Sequence, residues 1–319
     1  MELGSVRELK QSWSARVTTR EVAAGQVPAA GPVALGAAPR GSGYALAVRY
    51  RHEGPLVARL VEQLRAEVGD GEVDVRRIGP VRALTSPAPE QLQGRLRPLV
   101  PGCSVCHEAD TAGTLGALVE RDGEPFLLSN SHVLARAGLA SPGDVVRQPG
   151  PADGGTAEDR VGVLETAAAL DPAAGNRVDA ALARPDAGIE VDVTGAPTAT
   201  ARLDGDELVE KLGRTTGLTR GRVTAIEVDD VVVDYGAGVG LLRFDGQIEV
   251  GGAAGGPDGT AGPFSRGGDS GSLVRLADGG SAVGLLFAGS EAGGDDGLGL
   301  TYCNVIDDVL TELGAILAG

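Results

Sequence analysis

Three side chains that together can carry out acyl transfer stand along this chain in the order His132, Asp179, Ser270. Ser270 lies in Arg266-Gly267-Gly268-Asp269-Ser270-Gly271-Ser272, ahead of apolar Leu273-Val274. The glycines let the backbone turn tightly, so that consecutive N–H groups can converge on one developing negative charge. In a chain with 51 glycines the loop alone is a weak signal, and its weight comes from two partners upstream. His132, one of three histidines beside His52 and His107, follows the apolar run Phe126-Leu127-Leu128-Ser129. With residues 113–119 as the preceding strand and Arg121-Asp122-Gly123-Glu124 as the turn, a hairpin would hold the imidazole at a barrel rim. In Val178-Asp179-Ala180-Ala181-Leu182, the residues Val178, Ala180 and Leu182 share one face and Asp179 opens the other. A carboxylate against alanines needs a partner, because an unpaired buried charge is costly, and a histidine Nδ1–H suits it. Taken singly, His132 reads as a strand-end cap and Asp179 as an exposed aspartate at a strand start.

The intervals add what the single residues lack. They are 47 residues (179 − 132) and 91 residues (270 − 179). Order and separation are those of a two-barrel protease, whose first barrel supplies His and Asp and whose second supplies Ser. An α/β-hydrolase uses the same residue types, but it needs Gly-x-Ser-x-Gly, a helix after the serine and the histidine last. Here Ser272 holds the fifth position, a strand-like segment follows, and no histidine lies beyond Ser270.

On these motifs, with Leu128–Leu134, Val178–Leu182 and Lys211–Thr219, the chain resembles trypsin-like, chymotrypsin-fold serine proteases. It resembles the bacterial branch that lacks disulfides and secretion signals, and the plant NARROW LEAF 1-type proteins that share this core. The resemblance covers about residues 111–310. It implies a serine endopeptidase with Ser270 as nucleophile, His132 as general base and then acid, and Asp179 holding the imidazole tautomer. It also implies an oxyanion hole from the backbone N–H groups of Gly268 and Ser270. The substrate pocket would be walled by Phe287-Ala288-Gly289 and by residues 297–299. Phe264, six residues before Ser270, stands where trypsin carries an acid, which implies an apolar or small P1 side chain. Digestive relatives complete the hole when a freshly cut N-terminus pairs with the aspartate before the serine. No Ile-Val-Gly-Gly signal occurs here, so either Asp269 has a different partner or the loop is ordered by a ligand or binding protein.

The elements that must position these groups read as mainly β. Short strands divided by Gly, Pro and Asp turns run from about residue 111, as in Thr114–Val119, Phe126–Ser129, Val178–Ala183, Arg222–Val228, Val231–Tyr235 and Ala282–Phe287. Two six-stranded chymotrypsin-like barrels are expected, at about 111–195 and 205–302, within a protease domain over 101–319. Asn304 reads as the N-cap of a C-terminal helix over 304–317, with Val305, Val309, Leu313 and Ile316 on one face. Residues 1–100 read as a small α+β accessory region and linker. It holds a charged helix over 1–20, a stretch without periodicity at 21–41, a strand at Tyr44–Tyr50 and a helix at Pro55–Val68. A strand through Val73, Val75 and Ile78 and a Pro-bearing connector at 80–100 complete it.

Composition bounds the partners. The net charge of −16 disfavours nucleic acid, whose phosphates call for clustered Lys and Arg. No window reaches the roughly 18 apolar residues of a membrane span. The opening residues mix acids and bases without an apolar core, and three cysteines cannot build a disulfide framework. A cytoplasmic protein acting on protein or peptide substrates is expected, with residues 1–100 available to an activating or regulatory protein. Cys103-Ser104-Val105-Cys106-His107 matches a c-type haem attachment motif and offers zinc ligands, with His52 or Cys303 as a fourth. With no export signal and Met1 as the only methionine, these read as half-buried side chains, so no cofactor and no metal are expected. The glycine run 251–256 lacks the Lys and Ser or Thr of a phosphate loop, and Asp295-Asp296 is too short for a calcium loop. The rival reading is a protease-fold interaction module, latent until a partner binds.

Overall fold

A computed structural model describes residues 1–23, 33–50, 54–78, 91–253, 262–277, 280–294 and 297–318. His52, Asp295-Asp296 and residues 254–256 of the glycine run lie outside them. The N-terminal elements are α1 (Leu3–Ala23), β1 (Val33–Arg40), β2 (Gly43–Tyr50), α2 (Pro55–Val68) and β3 (Val73–Arg77). Next come β4 (Ser104–His107), β5 (Gly113–Thr114), β6 (Ala117–Arg121), β7 (Glu124–Ser129), α3 (Ser131–Leu134), β8 (Val145–Arg147), β9 (Arg160–Ala167), β10 (Gly175–Asn176) and β11 (Ala181–Pro185). The rest are β12 (Leu208–Gly213), β13 (Gly217–Asp229), β14 (Val231–Asp234), β15 (Leu241–Phe244), β16 (Gln247–Gly252), β17 (Leu273–Leu276), β18 (Ala282–Gly289), β19 (Leu300–Val305), α4 (Ile306–Leu313) and β20 (Ile316–Leu317).

The chain is mainly β and forms the expected chymotrypsin-like pair of barrels. In the first, strands pair in the order β6-β7-β11-β9-β8-β4, and β4 returns to β5, on the same stretch of chain as β6. In the second the order is β12-β17-β18-β19-β16-β13, closed by β12 pairing with β13. Closure removes the unpaired edges that an open sheet would expose. No helix among the described residues is long and apolar enough to cross a membrane.

The N-terminal elements continue the second barrel. β13 is 13 residues long, so β12 covers its first half and β1 pairs with its second half at Ile226 and Asp229. β2 and β3 extend the sheet from there. Val6, Trp13, Leu35, Leu46 and Leu64 share one apolar core with Val223, Ile248, Val274 and Leu286. A buried ion pair reinforces the seam. Arg49 of β2 donates to both carboxylate oxygens of Glu249 on β16, at 2.9 and 3.0 Å, and to Asp74 at 2.9 Å. Burial alone would lower the Arg49 pKa, but Glu249 and Asp74 outweigh it and leave the guanidinium pKa raised.

Four local expectations change. Residues 33–40 form β1, and the absence of alternation reflects a strand buried on both faces. The Asp179 strand begins only at Ala181, so Asp179 sits in the extended turn before it. The C-terminal helix starts at Ile306 and stops at Leu313, where Gly314 turns at φ 62° and Ile316 enters β20 against β6. Asn304 is not its cap, because β19 carries the residue inward and Val305 takes that position.

Candidate active site

His132 is held from three sides before any substrate is considered. β7 ends at Ser129, and the chain turns at Asn130 into α3, which bears His132. Asn130 Nδ2 donates to the Asp179 carbonyl at 2.7 Å, drawing the two segments together. The His132 backbone N–H donates to Asp179 Oδ1 at 3.1 Å, and its Nδ1–H donates to Oδ2 at 2.6 Å. A carboxylate partner on Nδ1 fixes the neutral tautomer and leaves a lone pair on Nε2. That nitrogen is buried and has no hydrogen-bond partner.

Asp179 is fully buried, and the second barrel reaches across to clasp it. Tyr235, just after β14, donates its hydroxyl to Oδ2 at 2.6 Å. Asn304 accepts the Asp179 backbone N–H at 2.9 Å. Neither residue carries a local sequence signal for this role. Tyr235 is one of four tyrosines, and Asn304 looks like a helix cap.

The loop of Ser270 is built against the first barrel. The Thr114 N–H donates to the Ser270 carbonyl at 2.8 Å, and Thr114 Oγ1 donates to the Gly268 carbonyl at 2.8 Å. Gly271 turns at φ 96°, where a side chain would also strike the Thr114 carbonyl and Ser129 Oγ. Gly268 turns at φ 89° against Arg214 and Thr215. Both glycines are therefore demanded by backbone angle and by space. The Ser270 hydroxyl donates to the Phe287 carbonyl at 3.4 Å and makes no bond to His132 Nε2. Among the described residues, no acceptor takes the backbone N–H of Gly268 or Ser270. Three consecutive residues, Asn130, Ser131 and His132, each carry a buried polar atom without a partner. Such atoms are rare and each costs about 1–3 kcal/mol.

Asp269 receives the alternative partner that the sequence calls for. Its carboxylate is fully buried and accepts from the N–H groups of Thr215, Thr216 and Arg266 at 2.9, 3.1 and 2.9 Å. Thr216 Oγ1 adds a bond at 2.7 Å, and the Lys211 ammonium lies 3.3 Å away. Burial pushes the Lys211 pKa down while Asp269 holds it up. Beside this cluster Arg214 bonds Asp153 of the first barrel and Thr215 Oγ1, tying both barrels behind Gly268. The Lys211–Thr219 motif, quoted above only for its resemblance, carries these groups.

The remaining sequence candidates lie elsewhere or differ in detail. Phe287 turns its ring into the core against Phe244, centroids 4.7 Å apart, and presents its carbonyl to Ser270. Ala288 and Gly289 follow on the same fully buried strand. Phe264 is buried in the core of the second barrel. His107 is a satisfied structural histidine, accepting from the Ala109 N–H at 3.0 Å and bonding Asp144 at 3.3 Å. The thiols of Cys103, Cys106 and Cys303 are free and buried, and burial raises the Cys103 pKa to about 12. Among the described residues no cluster of His, Cys, Asp and Glu could hold a metal ion.

No protein-family profile and no curated protein matches the chain. Solved structures do resemble it. Protease A of Thermobifida fusca is 18% identical, with a TM-score of 0.46, over 69% of this chain and 98% of that one. A glutamic acid-specific serine protease is 19% identical, with a TM-score of 0.48, over 69% of this chain and 100% of that one. The Nocardiopsis protease is 18% identical, with a TM-score of 0.48, over 69% and 99%. The double-barrel architecture of this chain stands on its own strand pairing, in which β12 and β13 close the second ring.

Proposed function

We propose that this protein is a serine endopeptidase with His132, Asp179 and Ser270 as its catalytic set. The observation that carries the reading is His132 itself. Its Nδ1–H is locked on a buried carboxylate, while its unpartnered Nε2 lies three residues along the chain from the Ser129 hydroxyl that the Ser270 loop packs against. Nε2 takes the Ser270 proton as Oγ attacks the scissile carbonyl, and the oxyanion falls to the Gly268 and Ser270 N–H groups. The C–N bond then breaks, and His132 returns the proton to the leaving amine. Water, activated the same way, releases the acyl group and restores Ser270. The proposed substrate pocket is walled by Phe287-Ala288-Gly289, whose first carbonyl accepts from Ser270, and takes an apolar or small P1 residue. The free buried thiols fit a reducing compartment such as the cytoplasm. The bacterial or NARROW LEAF 1-type affiliation rests on sequence motifs alone.

One observation favours a resting state as a second reading. Ser270 faces the Phe287 carbonyl, so the hydroxyl must rotate to His132 before attack, and a substrate or bound partner could trigger that rotation. Ser270→Ala is expected to lower kcat on the order of 10⁴–10⁶-fold. A fluorophosphonate probe should label wild type and spare the variant. Unchanged hydrolysis by the variant, or no label on wild type with any candidate partner, would sink the assignment.

A further inference from the structure

We infer that Tyr235 is a positioning residue of this active site, acting through Asp179, and that its hairpin is the device by which the second barrel sets the His–Asp pair of the first. The inference rests on the protease reading above. Tyr235 and His132 share one oxygen. Asp179 Oδ2 accepts the phenol hydroxyl and the imidazole Nδ1–H, each at 2.6 Å. Hydrogen bonds to an ionised acceptor are about twice as strong as neutral ones. The phenol therefore fixes the carboxylate rotamer that faces His132 and takes up part of its charge.

The phenol is suited to stay a donor. Burial first, and the Asp179 charge second, push its pKa well above 10. Its ring stands edge-on to His132, with centroids 5.6 Å apart at 72°, and continues through Phe244 to Phe287, whose carbonyl faces Ser270. In a chain with four Phe and four Tyr, this places three of the eight in one line from imidazole to serine.

The hairpin itself is fastened to the chain that leads into Asp179. β15 pairs in parallel with β10, Gly175 opposite Arg243 and Asn176 opposite Phe244. Asn176 Nδ2 donates to the Arg243 carbonyl at 3.0 Å, and the Asp245 N–H donates to the Asn176 carbonyl at 2.8 Å. A side chain at Gly175 would strike Asp245 and Arg243, so the two backbones must lie close. The hairpin thus grips both the approach to Asp179 and its carboxylate.

The test compares wild type with Tyr235→Phe, which keeps the ring and removes the hydroxyl. kcat should fall roughly 10- to 100-fold with KM within about twofold, a tenfold loss being 1.36 kcal/mol. The acid limb of the pH–rate profile should move to higher pH, because Asp179 then offers its whole charge to the imidazolium. Independently of turnover, the low-field proton resonance of His132 Nδ1–H, identified by its absence in His132→Ala, should move downfield. An unmoved resonance and an unmoved pH profile, with wild type still labelled by fluorophosphonate, overturn the positioning role and leave the protease reading intact. A resonance that moves in Tyr235→Phe while wild type neither labels nor hydrolyses overturns the protease reading, and with it the positioning of a catalytic pair by Tyr235.

Discussion

Asp179 and Asp269 are both fully buried carboxylates, and the molecule treats them in opposite ways. Asp269 is surrounded by permanent donors, three backbone N–H groups and a threonine hydroxyl, with a lysine ammonium sealed in beside it. Asp179 has one backbone donor, a phenol and an imidazole whose other nitrogen stays unpartnered. The first arrangement spends its donors on holding a loop still. The second leaves a single adjustable partner, and that is where proton transfer can occur. Burial alone therefore does not mark a working carboxylate; the mobility of its partner's proton does.

The largest expected effect separates the two by function. Asp179→Asn should lower kcat about 10⁴-fold by favouring the wrong imidazole tautomer. Its melting temperature should change little, since the amide keeps the shape. A loss below tenfold would mean that His132 does not depend on Asp179. Next comes the other site. Lys211→Met leaves a buried carboxylate without its cation and should cost about 3–5 kcal/mol of stability by denaturant unfolding. Activity should fall along with it, because the loop of Gly268 and Ser270 hangs from Asp269. Wild-type stability and turnover in this variant would show that neutral donors suffice for Asp269, and the contrast would dissolve. The smallest effect is a pH dependence. The Tyr235 pKa is raised in the folded chain, so above pH about 10 the unfolded chain sheds this proton first and folding weakens as pH climbs. Tyr235→Phe lacks that loss, so its stability deficit against wild type should narrow above pH 10 in thermal melts. A constant difference across that range would remove the phenol from the titration.

The meeting of His132 with Asp179 was legible because order and spacing survive in one dimension. So were α2, with its apolar residues four apart, and the alternation that puts Val178, Ala180 and Leu182 in one core layer and Ala181 and Ala183 in another. What escaped depends on tertiary docking. β1 hides its character because both faces are covered. Asn304 sits where a cap would, but β19 runs one residue further and buries it against Asp179 and Gln247. Ile316 keeps the helical spacing of Val309 and Leu313, yet Gly314 has already ended the helix and Ile316 lies 64% exposed. Tyr235 depends on a hairpin finding β10, a pairing that no local pattern encodes.

The barrels are also laced crosswise by strands from far along the chain. Arg49 and Glu249, which seal β2 to the second barrel, are 200 residues apart in sequence. β20, near the other end, pairs back to β6 of the first. During synthesis β1 leaves the ribosome well before β13, its partner through Leu35 and Asp229, and keeps an open edge until that strand arrives. The half that carries Ser270 thus becomes whole only late in translation, and the half that carries His132 gains its final strand later still. If the protease reading holds, the two halves of its machinery meet only after strands distant in sequence have paired, so assembly itself is a gate on activity.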